Sequence, residues 1–157
     1  MNKRGMKIST LATPLMIVCG LLASGASAIA QSSDRHWSCS NQTLSGDYGA
    51  AAEGVLIDIP GLPPQTPLRV IGVIHYDGKG NFTETSRSVV NGNLEDVDWT
   101  TNIGTYTVNS DCTGTTVLNN PHVPDPLKGF FVVVRRGREV HTMQTTHAIS
   151  GVQIKIE

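Results

Sequence analysis

The residues able to do chemistry in this chain of 157 are five histidines, three cysteines and a scatter of carboxylates. His141 and His147 share parity on an extended segment but stand six residues apart. Zinc ligands on a strand usually sit two apart with a third close by, and His36, His75 and His122 are remote in sequence, so no metal is expected. Asp77-Gly78-Lys79-Gly80-Asn81 has glycines around a lysine, yet it lacks the longer spacing, the following Ser/Thr and the helix of a phosphate loop. It also lacks the alternating oxygen ligands of a calcium loop, and it reads as a turn. No Gly-x-Ser-x-Gly elbow occurs, so no hydroxyl nucleophile stands out. No cofactor is expected.

What remains is a set of candidates for holding a ligand. His75 lies in the apolar run Leu68 to Tyr76 and must face either solvent or a cavity. If the domain is hollow, His75, Glu53 and His141 are the polar groups expected around a bound molecule. Trp99 closes the acidic stretch Leu94-Glu95-Asp96-Val97-Asp98; it could stack on a ligand at a cavity mouth or cover an edge of the core, and covering the core is the favoured reading.

The N-terminus sets the compartment. Lys3, Arg4 and Lys7 precede an apolar stretch from about Leu11 to Leu22, and small residues follow, ending Ala28-Ile29-Ala30. That order is the pattern of a cleavable secretory signal over residues 1–30. A membrane-spanning helix needs roughly 20 apolar residues, more than this stretch supplies. The expected destination is the periplasm or the medium, with Cys19 discarded and no membrane span left.

Losing Lys3, Arg4 and Lys7 from 12 basic residues leaves 9 against 13 acidic ones. A mildly acidic chain with dispersed Lys and Arg has no footprint for nucleic acid. The local cluster Arg135-Arg136-Gly137-Arg138 reads as an exposed turn. Two cysteines survive, Cys39 and Cys112, and an even count in an oxidising compartment predicts a disulfide.

These residues must be positioned by strands. Residues 31–38 form a polar lead-in, and 39–157 one domain rich in Thr, Val, Ile and Gly, with turn signals at short intervals and no helical periodicity. Strands are expected over Asp47 to Ile59, Leu68 to Tyr76, Phe82 to Val90, Ile103 to Val108, Thr113 to Leu118, Phe130 to Arg135 and Glu139 to Thr146. Pro63, Pro64 and Pro67 assign 61–67 to a loop, since proline donates nothing to a ladder. At the C-terminus Val152, Ile154 and Ile156 alternate with Gln153, Lys155 and Glu157, predicting a half-buried strand. Seven or eight strands joined by hairpins predict an all-β fold, a small antiparallel up-and-down barrel, with a two-sheet sandwich as the alternative. With aromatics only 5% of the chain, the girdles of an outer-membrane barrel are missing.

Cys39-Ser40-Asn41-Gln42-Thr43-Leu44-Ser45-Gly46-Asp47-Tyr48, then Tyr76-Asp77-Gly78-Lys79-Gly80-Asn81, then Tyr106-Thr107-Val108-Asn109-Ser110-Asp111-Cys112-Thr113-Gly114 form an ordered set across nearly the whole domain. In this the chain resembles small exported bacterial proteins of unassigned role, themselves similar to the allene oxide cyclase-like barrels related to lipocalins. The resemblance implies an eight-stranded barrel and supports the Cys39–Cys112 bridge. Gly46-Asp47-Tyr48 is similar to the Gly-x-Trp that opens lipocalins, though a turn glycine and a core tyrosine describe it as well. No catalytic residue of the cyclases maps onto a matching motif, and fold alone does not assign activity.

Three functional expectations follow. A barrel binding a small apolar or amphipathic molecule leads, and it calls for a cavity of roughly 300 Å³ or more. A cyclase-type enzyme would add one or two polar groups aimed into that cavity. A structural protein acting through its surface would carry an exposed apolar patch.

Overall fold

The computed structural model describes residues 37–94, 98–120 and 125–157; the expected signal peptide, most of the lead-in, His36 and His122, and Glu95 to Val97 lie outside them. Nine strands follow in chain order: β1 Ser45–Ile57, β2 Gln65–Asp77, β3 Asn81–Val90, β4 Asn93–Leu94, β5 Thr100–Val108, β6 Thr113–Asn119, β7 Leu127–Val134, β8 Glu139–Gln144 and β9 Ala148–Lys155. Every pairing is antiparallel. The ladder runs β2-β1-β9-β8-β7-β6-β5-β3, and β2 also pairs with β3, so eight strands close into a barrel with the two-residue β4 hung on the end of β3. One ring of pairing replaces the two sheets of a sandwich. Closure leaves the eight no free edge.

The interior splits into a packed floor and a looser upper half. At the floor, Tyr76 sits edge-on to Tyr48 and Tyr106, with ring centroids 5.3 and 4.9 Å away. Such edge-to-face pairs contribute beyond their buried area. Tyr48 is fully buried, and its hydroxyl donates to the Gly137 carbonyl at 2.5 Å. The segment before β1 caps this end. Its single 3-10 turn, Asn41–Thr43, is held by Tyr106, whose hydroxyl donates to the Asn41 and Leu44 carbonyls at 3.0 Å each, and by the Asn41 side chain, which accepts from the Val108 N–H at 2.8 Å. The Cys39–Cys112 disulfide, with an S–S distance of 2.01 Å, ties the cap to the turn after β5.

Glycine lets a barrel this narrow curl. At Gly114 a Cβ would stand 2.1 Å from the Phe131 ring, and at Gly104 2.3 Å from the Phe82 ring. Each aromatic packs against a neighbouring strand's glycine, filling the space left by the missing side chain.

Two expectations about strands need correcting. Gln65, Thr66 and Pro67 belong to β2, not to the preceding loop. Pairing with β3 stops at Leu68, and the Pro67 carbonyl on that side takes the N–H of Asn91. The proline nitrogen therefore faces a side with no ladder to complete. The second correction concerns β9. Val152 and Ile154 point outward, Ile154 being 58% exposed, while Gln153 points inward and is 7% exposed. The strand does alternate, but its apolar members face solvent. Gln153 is drawn in because its Oε1 accepts from the buried Tyr76 hydroxyl at 2.8 Å, an acceptor that an aliphatic side chain could not supply.

Candidate functional site

Above the tyrosine floor, the small inward residues Ala50, Ala52, Gly72 and Gly151 leave the lumen unfilled. The result is a cavity of about 130 Å³, smaller than the roughly 300 Å³ or more expected for a ligand-binding barrel, because the tyrosine floor fills the lower half. Leu68, Val70, Leu118 and Ile149 supply apolar walls, Tyr76 and Phe82 the base, and Glu84, Ser86, Thr116, Thr142, Gln144 and Gln153 a polar arc.

Glu84 is the one carboxyl that faces this lumen among the described residues. Burial among the walls raises its pKa, and the neighbouring Ser86 hydroxyl, which donates to the carboxylate, pulls the other way. Burial wins, because an ionised carboxylate away from water loses more solvation than one hydroxyl returns. Asn102 stands directly across the β3–β5 ladder from Glu84 and is 4% exposed. Its Oδ1 has no hydrogen-bond partner among the described residues, and neither does Gln144 Oε1 on the far wall. A buried acceptor left unpaired costs about 1–3 kcal/mol. The lumen thus has apolar walls and a polar arc that includes one unpartnered acceptor, Gln144 Oε1, and one carboxyl whose pKa is raised.

The residues chosen from the sequence stand elsewhere. Glu53 lies on the outer surface, where Arg69 pairs with it at 3.4 Å. His75 is also outside; its Nδ1 is 2.7 Å from Asp47 Oδ1, beside an open hollow of about 330 Å³ shared with Thr83, Ile103 and Thr105. His141 is outside on β8, its Nε2 2.6 Å from Glu139 Oε1. Trp99 is half-exposed over the outer faces of Ile71 and Val73 and covers no lumen edge. None of the four lines the cavity. The reason is parity: on β1, β2 and β8 the even-numbered residues face inward, and Glu53, His75 and His141 are odd. The same parity was available for Glu84, which lies two residues after the core aromatic Phe82 and so shares its face. No group of three or more metal-ligating side chains forms among the described residues.

Comparison of the chain with protein-family models, curated proteins and solved structures returns no match. The eight-stranded closed barrel and its lumen are therefore the class of protein that can be stated.

Proposed function

We propose that this is an exported binding protein whose lumen holds one small, partly polar molecule. The observation that carries this reading is the lumen itself, apolar walls facing a polar arc in which Gln144 Oε1 is buried without a hydrogen-bond partner among the described residues and Glu84 is the one carboxyl. A ligand that brings a donor there removes the penalty of leaving that acceptor dry. At about 130 Å³ the space approaches the roughly 150 Å³ that accommodates benzene and falls short of the roughly 300 Å³ of pockets for larger ligands. The ligand is accordingly compact, on the order of six to eight heavy atoms, with a hydrocarbon end against Leu68 and Ile149 and donor groups toward the polar arc. The signal-like N-terminus supports export, and so does the disulfide, a bond favoured in oxidising compartments.

Native mass spectrometry of the protein purified from its host's periplasm or medium tests this. One small molecule per chain is expected, absent from Ala52→Leu, which fills the lumen. A bare protein mass, together with no rise in melting temperature across a set of small alcohols and amines, refutes it.

A second reading is favoured by Glu84 itself. A carboxyl whose pKa burial raises is better placed to act as a general acid, which suits the cyclase-type chemistry implied by the resemblance, limited here to a small substrate. Under that reading Glu84→Gln retains binding and abolishes turnover; under simple binding the same variant changes affinity alone.

A further inference from the structure

The outward set of β9 does not stand alone. Across the outer face of β9, β1 and β2 the register builds two rows, Val152–Ala51–Ile71 and Ile154–Gly49–Val73, each large–small–large. The small central residues make a furrow of about 340 Å³ between two apolar ridges, with Trp99 overhanging the β2 side. Ile71 is 59% exposed and Ile154 58%. Beyond β9 the outer face of β8 carries His141 and Glu139, which separate this patch from exposed Phe130 and Val132 on β7. The other half of the circumference is different. There the outer positions of β3, β5 and β6 are largely threonine, including Thr83, Thr101, Thr105, Thr107 and Thr115.

From this we infer that a second copy of this chain docks on the furrow, ridge into groove, to form a two-fold dimer. Three observations choose that occupant. The first is area. The five side chains that frame the furrow, Ile71, Val73, Trp99, Val152 and Ile154, present on the order of 450 Å² of apolar surface at about half exposure. That is about the apolar share, roughly 57%, of one partner's side of a standard interface of about 800 Å².

The second is shape. A two-fold interface uses the same patch on both subunits and must be self-complementary. A furrow of small residues flanked by a ridge of equal length satisfies that within one patch. The third is charge. The furrow is bounded at its upper end by Glu53–Arg69 and at its lower end by Asp47–His75. With the two-fold axis along the strands, the β2 ridge of each copy enters the β1 furrow of the other, upper end meets upper end, and Arg69 comes opposite the partner's Glu53. The interface then has an apolar centre and a charge-matched rim. A lipid surface fits less well, since the apolar girdle of a lipid-embedded barrel runs all the way round.

Sedimentation velocity on the protein as its host processes it, from about 1 to 100 µM, is the test. A dimer is expected. Ala51→Arg places a charge on the furrow floor and should weaken association by about 100-fold or more, leaving the monomer's circular dichroism unchanged. If Ala51→Arg does not fold, Ile154→Ser serves, since that side chain already faces solvent. Ile103→Asp, on the threonine half and 62% exposed, should leave the dimer intact. A wild-type monomer at 100 µM overturns the inference, as does a dimer indifferent to both furrow variants or a monomer that co-sediments with lipid vesicles.

Discussion

Reducing the Cys39–Cys112 bond, or replacing both cysteines with serine, is the perturbation whose size the structure sets most directly. The bridge closes a loop of 73 residues. Opening it frees the unfolded chain, and the loop-entropy relation puts the gain at about 4 kcal/mol at 25 °C. The folded side should change little. The Cys39 N–H donates to the Ser110 carbonyl, and Asn41 and Tyr106 hold the cap through side-chain bonds that need no sulfur. For a domain of about 120 residues the unfolding entropy is roughly 0.25 kcal/mol per degree, so the melting temperature should fall by about 15 °C. Thermal unfolding followed by circular dichroism, with and without reductant, measures this, and the tyrosine signal in the near ultraviolet reports whether the floor stays packed below the transition. A drop of less than about 3 °C, with the floor intact, would show that the unfolded chain already keeps these residues together, and the entropic reasoning would fail.

Two further outcomes concern protons. All three tyrosines of the chain, Tyr48, Tyr76 and Tyr106, are core residues whose hydroxyls burial pushes upward, Tyr106 to about 12. Because these acids are raised in the folded state, the stability they contribute is complete below the ordinary tyrosine range and is lost as pH rises through the folded values. A spectrophotometric titration should therefore show less phenolate at pH 10 in native protein than appears at once on unfolding at that pH; native tyrosines titrating like the unfolded ones would contradict the packed floor. Glu84 follows the same sign. Its raised pKa means the native state binds more protons, so stability falls with pH above the usual carboxylate range, by at most about 1.4 kcal/mol per unit. Glu84→Gln should flatten that slope and be the more stable form at pH 7 in urea titrations, whereas a slope unchanged by the substitution would place the carboxyl in water.

Much of the scaffold was legible in the residues. Turn glycines at Gly78 and Gly80 and the alternation beyond them mark the β2–β3 hairpin, and Cys39 and Cys112, the two cysteines of the domain, mark the bridge. Local pattern suffices there because a hairpin and its turn are short-range objects. The site was less legible. Glu53, His75 and His141 were singled out by residue type, and their parity put them outside, while Glu84 sits inside.

Alternation along a strand states that its two faces differ, and that is all one strand can state. Which face becomes interior is decided when eight strands close and each inward position meets its neighbours. Inside the ring, Gln153 answers the Tyr76 hydroxyl and Glu84 meets Asn102, while Val152 and Ile154 are left on the surface. Strand content, hairpin order and the disulfide were thus determined by the chain's own residues. The lumen, its acid and the apolar furrow arose only from closure, because burial belongs to the assembled barrel and not to any strand by itself.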